Sequence, residues 1–136
     1  MHPQSIANVE TAEIPAGWPS PAQDYASVRI DLNEHLIKDP TSTYLLRMRG
    51  DAMNGVGIFS GDEILVDRSL DPSSNDIVVA VVDDQFTVRR LLLEKRGSNT
   101  VALLIAANPK YPPYRVAELT ELKIWGVVTK TLHTPK

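Results

Sequence analysis

The chain has 136 residues, of which 43% are hydrophobic and 23% charged, a mix that suits one folded domain with a short extension rather than a disordered polymer. Its net charge of −3 argues against a nonspecific grip on a nucleic-acid backbone, which needs a concentrated basic surface. Cysteine is absent, which excludes disulfides and thiolate metal centres; His2, His35 and His133 are scattered without metal-ligand spacing, so neither metal nor cofactor is expected.

No apolar run approaches the roughly 20 residues of a membrane span. The first residues lack a basic stretch followed by an apolar one, so a signal peptide is not expected and the reading is a cytoplasmic protein. Residues 1–21 carry Pro3, Pro15, Pro19 and Pro21 with Gly17. Proline removes backbone donors and restricts its neighbours, so this segment is expected to be an extended, flexible arm, too short for a helix-turn-helix DNA reader. Residues 22–136 are expected to form the folded domain.

Ser20, Pro21 and Gln23 read as a helix start, with the cap, the first-turn proline and the return donor in place. Asp31 and Glu34 repeat that signature before Leu32, Leu36 and Ile37, and Pro40 ends it. One or two short helical turns are predicted within 21–38. From residue 43 the pattern turns to β. Strands are predicted at 43–49, 63–67, 76–82, 85–92, 100–106 and 122–132, all rich in Val, Ile, Leu and Thr. Turns are predicted at 60–62 and 71–76, and Asp83-Asp84 reads as a hairpin turn.

Residue types alone offer no Gly-x-Ser-x-Gly elbow, phosphate-binding loop or dinucleotide fingerprint. An ordered set of segments says more. Arg49-Gly50-Asp51-Ala52-Met53 resembles the Gly-Asp-Ser-Met nucleophile motif of the LexA/UmuD family of self-cleaving serine peptidases, with Ala52 at the serine position. Ser60-Gly61-Asp62 through Val66-Asp67 resembles the turn and strand that follow it. Asp76 through Ala80 and Gln85 through Leu91 resemble the hairpin that carries the lysine base, and Arg89 stands where that lysine falls. Asn108-Pro109-Lys110-Tyr111-Pro112-Pro113 and Trp125-Gly126-Val127-Val128 resemble the family's C-terminal segments. In the arm, Ala16-Gly17 looks like the scissile bond, and Pro19 through Ala22, Asp24-Tyr25 and Ile30 through Asn33 resemble UmuD-type members in particular. The similarity spans nearly the whole chain.

The resemblance implies a mainly β fold: a compact peptidase domain of twisted antiparallel sheets with a short helical segment and an extended N-terminal arm. It implies a homodimer, stimulation of cleavage in active members by a RecA filament on single-stranded DNA, and association of the trimmed product with the Y-family polymerase UmuC. Direct sequence-specific DNA binding is not expected.

The family's chemistry needs a serine hydroxyl to attack the peptide carbonyl and a desolvated, neutral lysine to take its proton. Backbone N–H groups at the nucleophile would stabilise the oxyanion, with Asp51 and Met53 as support for that loop. Both requirements are broken here. Ala52 has no nucleophile, and a guanidinium is a donor that cannot serve as a base. No self-cleavage is therefore expected. Either engineering to trap the uncut state or natural loss of cleavage would produce this pair.

Other residues read more plainly. Ser60 belongs to a turn, Lys38 and Lys95 are surface charges, and Asp51 braces its loop. Asp83 and Asp84 are hairpin residues rather than an acid–base pair. His35 sits on a helix face, Tyr111 packs, and Trp18 is either an anchor for the arm or an exposed linker residue. Three rival readings stand: the C-terminal part of a LexA-like or phage repressor, a non-enzymatic regulatory paralogue, and a signal-peptidase-like enzyme, the last disfavoured by the missing membrane span.

Overall fold

A computed structural model describes residues 31–116 and 122–135. The chain divides into two compact units, Met1–Pro40 and Thr41–Lys136. The expected arm at 1–21, its border with the domain, and the helix start at Ser20 lie outside the described residues.

In the first unit, one helical turn, α1 (Leu32–Leu36), forms where the capping pattern predicts it. The Asp31 carboxylate accepts the Asn33 N–H at 3.0 Å, satisfying one of the donors that a helix start leaves open. Ile37 ends the turn in extended conformation.

The second unit is a sheet. Its strands are β1 (Thr43–Arg47), β2 (Glu63–Asp67), β3 (Ile77–Val82), β4 (Gln85–Arg96), β5 (Asn99–Ile105), β6 (Tyr114–Val116) and β7 (Lys123–Leu132). They form one seven-stranded sheet in the order β1-β2-β7-β3-β4-β5-β6, and each neighbouring pair is antiparallel. The mainly β expectation holds.

Apart from strand ends that shift by one or two residues, two details differ from the sequence reading. β4 runs to Arg96 instead of residue 92, because Glu94, Lys95 and Arg96 pair with Val101, Thr100 and Asn99. Their charges made the strand end look like a loop. β6 was not predicted: Tyr114, Arg115 and Val116 directly follow two prolines, and three residues are too few to show alternation. The Asp83-Asp84 turn forms as predicted. Both residues have positive φ, 51° and 63°, and Val82 pairs with Gln85, as a two-residue primed hairpin turn requires.

Alternation along the strands gives the sheet two buried faces. Ile77 and Val79 pack into one core with Met48, Met53, Ile58, Ile64 and Val66. Val78 and Ala80 pack into another with Leu91, Ala102, Leu104 and Val127. Each fully buried Val, Leu, Ile or Met contributes roughly 1.5–3 kcal/mol relative to exposure.

The turn between β1 and β2 is fixed by buried Asp62. Its carboxylate accepts the Phe59 N–H at 2.9 Å and lies 2.6 Å from His133 Nδ1 at the end of the chain. The Met48 N–H donates to Asp62 O, and the Gly61 N–H donates to Met48 O, both at 2.8 Å. This turn sets where the chain enters the 49–57 loop. The Phe59 N–H, and then His133, hold the Asp62 carboxyl below the ordinary carboxylate range.

Two stability tests follow. A Cβ on Gly126 would lie 2.5 Å from Val66 Cγ1 and 3.3 Å from the Asp67 carbonyl, at the centre of the sheet. Gly126→Ala should destabilise the fold by about 1–3 kcal/mol in urea unfolding; an unchanged midpoint would show that β7 can give way. The depressed Asp62 carboxyl contributes stability that is complete above its unfolded pKa of about 3.9 and is lost as pH falls through the lower folded value. The Asp62→Asn variant should therefore lose stability less steeply below about pH 4. Parallel acid limbs for the two proteins would refute this.

Candidate functional site

β1 delivers the chain through buried Met48 into a tight loop. Gly50 adopts φ +91° and donates its N–H to Ser60 Oγ at 3.1 Å. Ser60 thus braces the loop from the neighbouring turn. A single 3-10 turn, Asn54–Val56, closes the loop, with Gly57 left-handed at its end.

The loop is sewn to the segment after β5. The Ala107 N–H donates to Ala52 O, and the Gly55 N–H donates to Ala107 O, both at 2.8 Å. The approach is so close that a Cβ on Gly55 would sit 2.6 Å from Ala107 O, so only glycine fits. Asn108 Nδ2 donates to Asp51 O at 2.9 Å. The Asp51 side chain completes the seam: one oxygen accepts the Tyr111 O–H at 2.5 Å, and the other pairs with Lys110 Nζ at 2.8 Å.

Ala52 is 6% exposed, and the Met53 side chain is fully buried in the core. The Met53 carbonyl accepts the N–H groups of Val56 and Ile58.

Arg89 comes from β4, opposite Val78. It is 7% exposed, which is unusual for an arginine with no acidic partner among the described residues. Its Nη1 donates to Val88 O at 2.8 Å. Its guanidinium lies over two phenol rings, 5.4 Å from the centre of Tyr111 and 5.6 Å from that of Tyr114. The Nε–H is buried and has no hydrogen-bond partner among the described residues.

Ala52 and Arg89 line one cleft of about 450 Å³, together with Gly50, Tyr111 and Tyr114. The structure therefore brings together the two positions that the motif reading singled out. Ala16 and Gly17, as well as Trp18, lie outside the described residues. His35 and Lys38 are exposed, and Lys95 is exposed and does not line the cleft.

Electrostatics separates the two walls. The Lys110 ammonium and then the Tyr111 phenol hold the Asp51 carboxyl below its usual range. The same carboxylate raises both partners: Lys110 keeps its charge, and Tyr111 keeps the proton that it donates. Asp51 is thus spent on Lys110 and Tyr111.

Chemically, the cleft offers a methyl group and a guanidinium at its centre. A methyl group cannot attack a carbonyl, and a guanidinium donates hydrogen bonds but accepts no proton. At positions 52 and 89, therefore, neither the attack nor the proton transfer of nucleophilic hydrolysis can take place. Lys110, Tyr111 and Tyr114 escaped the sequence reading as parts of this site. Tyr111 was read as a packing residue, and it does pack on the core, but it also faces Arg89 and Asp51. Its partner Asp51 is 60 residues away, a separation at which a single sequence gives no pairing signal.

Comparison with known proteins identifies the family. The family model for Peptidase S24-like proteins matches residues 8–129. Protein SamA of Salmonella typhimurium is 44% identical over 130 residues, covering 96% of this chain and 87% of SamA. Protein MucA of Escherichia coli is 42% identical over 120 residues, covering 88% of this chain and 79% of MucA. The LexA repressor of Shewanella denitrificans is 36% identical over 104 residues, 76% of this chain but only 48% of the repressor. The chain belongs to the Peptidase S24-like family, as a UmuD-type member of the LexA/UmuD group.

Proposed function

We propose that the chain is a UmuD-like SOS-response protein that is inert as a peptidase and stays in its uncut form. In an active form, Ser at position 52 and Lys at position 89 would cut the Ala16-Gly17 bond, with a RecA filament as stimulant. The trimmed protein would then serve as a homodimeric accessory subunit of a Y-family translesion polymerase, UmuC, in the cytoplasm.

The observation that carries this reading is that Ala52 and Arg89 line one cleft. Each of them removes one half of a serine–lysine pair. Support also comes from SamA and MucA, which are 44% and 42% identical to the chain, against 36% for the LexA repressor. The UmuD-like reading is therefore favoured over a repressor's C-terminal part. A cleft with both reacting groups replaced is also what a non-enzymatic regulatory paralogue would carry, so that reading shares the prediction of an uncut chain.

Chemistry explains why two changes matter. Loss of a serine nucleophile alone costs on the order of 10⁶-fold in a characterised serine protease. Restoring the hydroxyl without a base leaves it protonated and weakly nucleophilic. An amine placed in the same buried position can shed its proton near neutral pH, which a guanidinium cannot do.

The test is reversion. Four proteins are incubated at mildly alkaline pH, with and without activated RecA: the chain as it stands, Ala52→Ser, Arg89→Lys and the double variant. Only the double variant should yield a shorter product, and N-terminal sequencing should begin at Gly17. A product beginning elsewhere would reject the Ala16-Gly17 assignment. An intact double variant under every condition would reject the peptidase ancestry of the cleft.

A further inference from the structure

Asn54 precedes Gly55, whereas the other asparagines precede Val9, Glu34, Asp76, Thr100 and Pro109. Asparagine is a thermolabile residue. It loses ammonia when the following backbone nitrogen attacks its side chain, and a glycine has no Cβ to hinder that approach. Asn54 and Gly55 are also exposed, in the 3-10 turn of the loop that carries position 52.

The fold cannot exchange this glycine for a bulkier neighbour. A Cβ at position 55 would sit 2.6 Å from the Ala107 carbonyl oxygen. The close packing that fixes the loop therefore keeps a deamidation-prone pair in it.

The same packing restrains the pair. The Gly55 N–H donates to Ala107 O at 2.8 Å, so the nitrogen that would attack has its proton held in a hydrogen bond. The Asn54 N–H donates to Asp51 O at 3.3 Å, and Asn54 O accepts the Gly57 N–H at 2.9 Å. These bonds hold the backbone on both sides of the 54–55 peptide. Closing a ring from Gly55 N onto the Asn54 side chain requires turning that peptide out of its helical conformation.

We infer that Asn54-Gly55 is a deamidation site gated by the seam to Ala107: closed while the Gly55 N–H is bonded, and open to reaction with water when that bond breaks.

The reaction needs water and no other reagent. The Gly55 nitrogen, having lost its proton to hydroxide, forms a bond to Asn54 Cγ. The Cγ–Nδ2 bond breaks, and that nitrogen leaves as ammonia with a proton from water. Water then opens the five-membered imide. Opening at Cγ leaves aspartate; opening at the Asn54 main-chain carbonyl leaves isoaspartate, with the chain routed through the side chain. The net change is ammonia lost and water gained, with nothing oxidised or reduced.

Either product puts a carboxyl group where the loop has a neutral amide. Isoaspartate also adds a methylene to the backbone between residues 54 and 55, which shifts Gly55 relative to Ala107. An opening of the seam is thus recorded as a lasting change beside position 52. Neither step uses Ala52 or Arg89, so the site stands apart from the cleavage reading.

The test keeps the full chain at mildly alkaline pH, in buffer and in urea that unfolds it. Peptide mapping by mass spectrometry, with aspartate and isoaspartate products separated, follows each asparagine. Conversion at Asn54 should be about tenfold or more slower in buffer than in urea, because a bonded loop is open only a small fraction of the time. In urea, Asn54 should convert ahead of every other asparagine. Asn108→Ala removes the side-chain bond to Asp51 O. It should speed conversion several-fold in buffer, the scale of one hydrogen bond, and leave the rate in urea unchanged. Amide hydrogen exchange at Gly55 should speed by the same factor, since both need the same opening.

Equal rates in buffer and urea, another asparagine converting first in urea, or faster Gly55 exchange in Asn108→Ala without faster conversion would each overturn the inference. The comparison of buffer with urea uses the unmodified chain, so it stands even if Asn108→Ala fails to fold.

Discussion

The seam between the 51–55 loop and residues 107–111 is the constraint on which the site depends. Backbone bonds join Ala52 to Ala107 and Ala107 to Gly55, and the Asn108 side chain holds the Asp51 carbonyl. The Asp51 carboxylate then draws in Lys110 and Tyr111. A loop bounded by Gly50 and Gly57 would otherwise be free to sample many conformations. Bonded in this way, it presents position 52 at a fixed place beside a strand that carries position 89. The same seam brings Tyr111 against the guanidinium, so one set of contacts builds both walls of the cleft.

That architecture explains how a buried arginine is tolerated. Removing a guanidinium from water is expensive unless its donors are met. Here the Val88 carbonyl meets one donor, and two aromatic faces supply attraction to the cation. The compensation is partial, because Nε remains without a partner among the described residues. A lysine in that position would face the same desolvation but could escape it by losing its proton. The pressure that would make a lysine reactive thus leaves an arginine charged and seeking an acceptor.

Much of the fold could be read from the residues because it is locally encoded. The Asp83-Asp84 turn, the capped helix at 32–36 and the β-branched runs of β2, β3 and β7 each carry their signal within a few neighbours. β6 and the far end of β4 were missed because they exist only through a partner strand: a three-residue segment after prolines, and a charged tail pairing with Asn99–Val101. The site divides along the same line. Ala52 and Arg89 were found through an ordered motif, not through spacing. Tyr111, Tyr114 and Lys110 join them by contacts between segments distant in sequence that no local pattern announces. Periodicity reports which face a residue takes, but not which distant residue it will meet there.

Shape and reactivity are separable properties of a cleft, and on the proposed reading Ala52 and Arg89 alter only the reactivity of this one. Ala52 is small and fits the loop that the backbone bonds already define, so losing a hydroxyl there removes no bond of the seam. Arg89 keeps the strand pairing with Val78 and the positive charge of its position. On that reading, what the pair removes is the hydroxyl and the group that could take its proton. What remains is a groove lined by apolar and polar side chains, among them the Arg89 guanidinium, beside a loop fixed by backbone bonds. Enzymes owe rate to groups that act in the transition state and affinity to groups that act throughout. On the proposed reading, positions 52 and 89 have lost groups of the first kind, while the backbone bonds that shape the cleft are untouched.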